Sequence, residues 1–274
     1  KDRVDGVVIT DGNEETSIKA KVVIGFDGRN SMVRRKLNFE VKEYKLQPDV
    51  LWFKIPYPEK FLPGSQAFFS LFPKSFLVAV PVYDQKLQVG WIIPAGSYGE
   101  LKKKGKEKWI QYIKEKSPSG FADHLQKCLD ENSISDPFIL KMTLDRVKKW
   151  SKKGALLLGD AAHTMNAVGG QGLNIALRDA VVCANHLVPL MDSNPSNSSL
   201  DKAFEAIEKE RIEEVTKVQE IQSRPPKFIA QNVLMVEIIV PILKLLFKLN
   251  FTDNLRKELI ERMSRGFTEV KLKV

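Results

Sequence analysis

The chain has 274 residues, 43% hydrophobic and 28% charged, which is room for one large or two ordinary domains of a soluble globular protein. Its net charge of +9 suits an anionic partner, but the lysine cluster over 102–108 carries no aromatic and that over 148–153 only Trp150, which is not the aromatic pattern of a single-strand binder, so nucleic-acid binding is not expected. Cys128 and Cys183 lie far apart in no metal-like spacing, which leaves no metal site to propose and points to a reducing, cytoplasmic setting.

Residues 1–6 are polar, lack an initiating Met and show no signal peptide. The β-branched runs at 7–9 and 22–24, joined by the turn-forming Asp11-Gly12-Asn13, predict a strand, a turn and a second strand. The second run is apolar at consecutive positions, as in a strand buried on both faces. Nothing upstream supplies its two neighbours, so the chain is expected to begin inside a domain. The run ends at Gly25-Phe26-Asp27-Gly28, after which Ser31 can cap a short helix through Val33, Arg34 and Arg35.

Residues 51–55, 66–72, 76–82 and 87–93 are rich in β-branched and aromatic residues and predict four or five antiparallel strands. Helices are predicted over 106–116, with Trp109, Ile110 and Ile113 on one face, and over 121–129. Residues 138–147 predict a returning strand. GALLLGD at 154–160 predicts a short buried strand ending at Gly159-Asp160, and GGQG at 169–172 opens a helix. There Leu173, Leu177, Ala180, Ala184 and Leu187 recur at helical spacing. A polar linker over 192–199 leads to a charged helix over 200–222 with Phe204, Ile207, Ile212, Val215 and Val218 on one face. Arg224-Pro225-Pro226 stops it, and further helices are expected beyond. Among these, the apolar stretch 233–247 is interrupted by Glu237, Pro241 and Lys244 and is too short to span a bilayer.

The two Asp/Gly turns at apolar strand ends carry the chemistry. Glycine lets a backbone approach a ligand closely, a carboxylate accepts hydrogen bonds from sugar-like hydroxyls, and a helix opening nearby offers unpaired N–H groups to anions. Asp160, the 169–172 loop and the helix from Leu173 supply that set.

At these residues the chain resembles a known family. GALLLGDAAH at 154–163, followed by GGQGLN at 169–174 and Asp179-Ala180, is similar to the second FAD motif of the class A flavoprotein monooxygenases, which include aromatic and ubiquinone-pathway hydroxylases. VVIGFDGRNSMVR at 22–34 is similar to the family's middle motif, and Phe204, Glu205 and Arg211 match its following helix. The resemblance covers roughly residues 4–225. It implies FAD as cofactor and NADH or NADPH as cosubstrate. By it, a flavin hydroperoxide passes one oxygen atom of O2 to an aromatic or quinol-like small molecule.

The resemblance also implies residue roles. Gly159 and Asp160 would meet the ribityl or ribose hydroxyls. The backbone of Gly169, Gly170, Gly172, Leu173 and Asn174 would lie along the pyrimidine edge of the isoalloxazine. Asp27 and Gly28 would help to position FAD, and Arg34 would hold a phosphate or the Asp27 turn. No catalytic side chain is expected, because the flavin carries the chemistry. His163 therefore reads as a structural loop residue near the cofactor rather than an acid or base.

The expected fold is α+β. A partial Rossmann-like FAD-binding domain takes 1–42 and 146–192, a mainly antiparallel substrate-binding sheet 43–145, and a helical C-terminal region 193–274. The family's prolines before the Gly-Gly pair are replaced by Asn166-Ala167-Val168. No G-x-G-x-x-G unit is present, so the chain is expected to be N-terminally truncated and, in isolation, a non-catalytic fragment. Within the superfamily, a halogenase (from VGWIIP at 89–94) or an isoprenoid reductase are the alternatives. Trp52, Phe53, Phe68, Phe69 and Phe72 are candidates for the substrate pocket, though strand alternation turns about half away. The 233–247 stretch could touch a membrane surface peripherally, but a helix covering the substrate domain is favoured. Exposed sheet edges would allow self-association.

Overall fold

The computed structural model describes residues 3–44, 48–72, 75–167, 170–223 and 266–274, with Leu71 and Phe72 described by backbone alone. The 224–226 stop, the helices expected after it and the 233–247 stretch lie outside the described residues. No helix among the described residues is long and apolar enough to cross a membrane. The described residues fall into two compact units: 3–44, 143–223 and 266–274 form one, and 48–142 the other.

The first unit opens with β1 (Gly6–Asp11) and β2 (Glu14–Lys19), an antiparallel hairpin closed at Asp11↔Glu14. Gly12, at φ +61°, adopts the left-handed conformation such a two-residue loop demands. The partner of the first apolar run is thus the polar EETSIK segment and not the 22–24 run. Every β2 residue is exposed, so no hydrophobic alternation marked it. The 22–24 run enters a different sheet as β3 (Val23–Gly25), followed by α1 (Met32–Lys36) and β4 (Val41–Glu43).

The second unit contains β5 (Asp49–Pro56), β6 (Phe68–Phe72), β7 (Ser75–Val82) and β8 (Lys86–Ile93). Helices α2 (Tyr98–Lys104), α3 (Lys106–Lys116) and α4 (Ser119–Asp130) follow, and β9 (Phe138–Lys141) closes an antiparallel sheet in the order β6-β7-β8-β5-β9. Alternation sorts its side chains. Leu51, Phe53, Ile55, Leu77, Val89 and Trp91 join Trp109, Ile110, Ile113 and Phe121 in one buried core, and the Phe53 and Trp109 ring centroids lie 5.1 Å apart. On the opposite face, Phe69, Val78, Gly90, Trp52 and Phe138 stand in cross-strand register.

Back in the first unit, β10 (Asp145–Val147) pairs with β4, so residues 138–147 form two strands in separate sheets rather than one. Strands β11 (Ser151–Lys152) and β12 (Ala155–Leu157) complete a small sheet ordered β11-β12-β3, in which β3 runs parallel to β12. Strand β12 is fully buried. Strand β3 departs from the expected two-sided burial: it has one strand partner among the described residues, and Ile24 is 37% exposed. Helices α5 (Gln171–Met191) and α6 (Asn197–Ser223) pack on this unit.

Helix α5 buries the face its leucines suggest only at Leu187. Leu173 and Leu177 are 71% and 57% exposed and Ala180 is exposed, while Ile175, Asp179, Val182, Cys183 and Leu187 face inward. A charged residue occupies the middle of the buried stripe, and its ion pairs, described below, decide the helix's rotation.

The core and open faces of the sheet should differ sharply in unfolding measurements. Phe53→Ala is expected to lower the unfolding free energy by about 3–5 kcal/mol, whereas Phe69→Ala, at a residue 68% exposed, should change it by under about 0.5 kcal/mol. Urea midpoints followed by tryptophan fluorescence would read both; equal losses would contradict the alternation.

Candidate functional site

The site is built where β3 and β12 end side by side, since Leu157 pairs with Gly25. Past β3 the chain turns through Phe26–Asn30 into α1. Ser31 is the N-cap, its Oγ accepting from Arg34 N at 2.9 Å. The Asp27 carboxylate also reaches over this helix start, accepting from Met32 N at 2.7 Å and Val33 N at 3.1 Å. Slight burial pushes the Asp27 carboxyl up, but hydrogen bonds from Ser31 and the backbone outweigh it and leave it below the ordinary range. One Asp27 oxygen is therefore occupied as a helix cap. Gly28, at φ +77°, makes the turn and has open space where a Cβ would stand.

Past β12 the chain enters a 3-10 turn, Gly159–Ala161. Gly159 adopts φ +57°, and a Cβ there would meet the Phe26 ring at 3.1 Å and Ala176 Cβ at 3.3 Å. The second turn thus packs against the first on one side and α5 on the other. Arg34 stitches the two turns together: its guanidinium donates to Arg29 O at 2.5 Å and Ala161 O at 3.5 Å, and pairs with Asp145 Oδ1 at 3.3 Å.

Asp160 lies at the centre of this arrangement, half-buried. Burial pushes its carboxyl above the ordinary range, opposed chiefly by the charge of Arg29. No described side chain or backbone group hydrogen-bonds it. Helix α5 begins nearby at Gly170, which is in the left-handed conformation at φ 63°, ψ 27°. No side chain caps this helix start and no acidic residue lies in its first turn, while Gly170 N–H donates to Ala167 O at 3.2 Å. Gly170, Leu173 and Asn174 are exposed there, and Gly172 is partly exposed over Met165. Gly169 lies outside the described residues.

Beneath the turn is a buried charged network. Asp179 Oδ2 accepts from Gly159 N at 3.0 Å and bonds His163 Nε2 at 2.7 Å, while Oδ1 accepts from Arg211 Nε at 2.8 Å. Arg211 also pairs with Glu214, which binds Arg178 Nε at 2.9 Å and the backbone N–H groups of Phe267 and Thr268. His163, Asp179, Arg211 and Glu214 are all 0–1% exposed. Burial alone would push both carboxyls up; His163 and Arg211 around Asp179, and Arg178 and Arg211 around Glu214, hold them below the usual range. With its ring tilted against Trp150 at a centroid distance of 4.7 Å and 1% exposed, His163 is a positioning residue with no access to a reacting group. Cys183, pushed up to about 11 mainly by burial, stays a thiol.

Two parallel strand ends, a half-buried carboxylate and an uncapped helix start are the kind of features that nucleotide-type cofactors use in α/β folds. The chain belongs to the FAD binding domain family, whose model matches residues 1–218. It is 30% identical over 227 residues to 6-methylpretetramide 4-monooxygenase of Streptomyces rimosus, covering 81% of this chain and 51% of that protein. It is 27% identical over 220 residues to ubiquinone hydroxylase UbiL of Rhodospirillum rubrum, covering 74% and 46%. The chain thus spans about half the length of these curated relatives. Among solved structures, PqsL from Pseudomonas aeruginosa, described as a probable FAD-dependent monooxygenase, superposes with a TM-score of 0.69 at 18% identity over 84% of this chain and 61% of its own. The flavin-dependent halogenase CmlS does so at 0.58 and 17%, over 78% and 38%.

In the sequence, Asp179 and Arg211 stand out only as matching positions of the family's motifs, without a role, and Glu214 does not stand out, because charged residues on helices read as solvent-facing. Their spacing held the signal: Asp179 is i+4 from Ile175, and Arg211 and Glu214 are i+4 and i+7 from Ile207.

Because Asp179 and Glu214 have depressed values in the folded state, the stability they contribute is fully present above their unfolded values near about 4 and is lost as pH falls through the folded values. Asp179→Asn is expected to cost about 3–5 kcal/mol at neutral pH by stranding Arg211, and to flatten the acid limb of stability against pH. Urea midpoints from pH 7 to pH 3 would test this; an unchanged acid slope would remove Asp179 from the account.

Proposed function

We propose that the protein is an FAD-dependent hydroxylase using NADH or NADPH and O2 on an aromatic or quinol-like small molecule. The observation that carries the reading is Asp160: a half-buried carboxylate left without a hydrogen-bond partner among the described residues, beside an uncapped helix start, on a turn held by buried ion pairs. A partly desolvated carboxylate with no partner is costly unless a ligand supplies donors.

Bound FAD supplies the redox chemistry that activates O2 and delivers one of its oxygen atoms. The protein's part is placement. Gly159 and Asp160 receive ribityl or ribose hydroxyls. The backbone of Gly170, Gly172, Leu173 and Asn174 would line the pyrimidine edge of the flavin, where helix N–H groups would favour negative charge on the reduced ring. Asp27 and Gly28 shape the adjoining turn and Arg34 keeps it in register with Asp160. Two unpaired buried cysteines fit a reducing, cytoplasmic setting.

The substrate would lie on the face of the second unit's sheet opposite its helices, beside the small buried cluster of Val50, Ile92 and Met142. There the Trp52 indole lies across Gly90, where a Cβ would fall 2.6 Å from the ring, and Phe69 and Phe138 flank it at 68% and 57% exposure. Phe53 and Phe68 are excluded as wall residues, since both pack into the helix-side core. The halogenase alternative gains little: Trp91 of VGWIIP is 4% exposed and donates to Ser75 Oγ at 2.7 Å, which makes it a core residue.

Asp160→Ala is expected to weaken FAD binding about tenfold or more, as loss of a charge-assisted hydrogen bond implies. Flavin fluorescence quenching on titration would measure it; wild-type protein that binds no FAD ends the proposal. Gly90→Val should displace the Trp52 ring and raise KM for phenolic substrates several-fold with FAD affinity unchanged. NAD(P)H oxidation stimulated by phenols, with label from 18O2 in the product, would separate hydroxylation from chloride-dependent halogenation.

A further inference from the structure

A cavity of about 470 Å3 opens on the helix side of the second unit's sheet, between the end of β8 and helices α2 and α3. Its walls are Trp91, Ile93, Leu101, Trp109 and Tyr112. The Trp91 and Tyr112 ring centroids lie 5.6 Å apart with planes inclined by 33°. Size and lining match small-molecule sites.

The polar atoms at its floor are already satisfied. Ser75 Oγ accepts from Trp91 Nε1 and donates to Ile92 O. A sugar or other polyhydroxyl ligand would find no free partner there, so the body of the occupant is apolar. The mouth has the opposite character. Lys104, ending α2, and Lys108, in the first turn of α3, both line the cavity and are exposed, and neither has an ion-pair partner among the described residues. Glu100 is the one carboxylate in the lining, and Lys103 holds it at 3.0 Å. Gly105, at φ +86°, joins the two helices that carry these lysines. An apolar slot lined by aromatic rings with uncompensated ammonium groups at its rim selects a flat apolar body bearing one negative charge.

We propose that this cavity is a second small-molecule site, for an aromatic monocarboxylate. It is separate from the substrate face: Trp91 stands in register with Leu51 and Leu77 on the buried side, whereas Trp52, Val78 and Gly90 point to the other. It does not depend on the flavin reading.

The probe is 2-naphthoate, titrated into the full chain while tryptophan fluorescence is followed. Saturable quenching is expected, about tenfold weaker in Lys104→Ala/Lys108→Ala, weaker also for neutral 2-naphthalenemethanol, and unchanged in Trp52→Phe. Leu101→Trp, which fills the slot, should abolish it. Because both lysines are exposed, their double variant should fold as the wild type does, which circular dichroism checks. The proposal is overturned by absent saturation, by affinity that survives the lysine changes, or by affinity lost with Trp52→Phe.

Discussion

The Asp179 carboxylate, fully buried and shared among Gly159 N–H, His163 and Arg211, is the constraint on which the first unit's architecture turns. A lone charge at that depth would be prohibitive; with an arginine, a histidine and a backbone donor around it, the charged state becomes tolerable and directional. Direction is what matters here. The bond to Gly159 N–H fixes the Leu158–Gly159 peptide, one residue ahead of Asp160, so the exposed chemistry of the turn is set from below by groups that no ligand reaches. The same carboxylate turns α5 about its axis, leaving Leu173 and Leu177 outside.

That dependence extends further through the unit. Arg211 leads to Glu214, Glu214 to Arg178 and to the backbone at Phe267 and Thr268, so two long helices and the 266–274 segment share one polar core. With one member of such a network missing the remainder is stranded; in this one His163 Nδ1 and Arg211 Nη2 have no hydrogen-bond partner among the described residues. The second unit is organised differently, by side-chain alternation across five strands and a helix layer, with almost wholly apolar contacts in its core.

Much of this was legible in the residues. The 106–116 helix has the bounds its Trp109, Ile110 and Ile113 spacing suggested, and the four strands between residues 49 and 93 follow from β-branched alternation. The two Asp/Gly turns were visible as punctuation after apolar runs, and the structure sets them side by side. What stayed hidden has common causes. Strand β2 is polar and wholly exposed, so it carries no periodic signal. Strand β3 looked buried because three apolar residues in a row mimic an interior strand. The division of 138–147 between two sheets arises from long-range pairing partners that no local window contains. The expected α5 face is right at Leu187 but wrong at Leu173 and Leu177, because Asp179 and its partners hold a neighbouring stripe with Ile175, Val182 and Cys183 inward.

Arg34 carries a last implication. A single guanidinium holds carbonyls from both turns, Arg29 O and Ala161 O, so the two loops are not independent modules. Drift in the length or conformation of either would be transmitted to the other, and substitutions in the two segments should show epistasis although more than a hundred residues separate them along the chain. Grafting one loop from a distant homologue without its counterpart would break this shared anchor, which makes the pair of turns a single heritable unit.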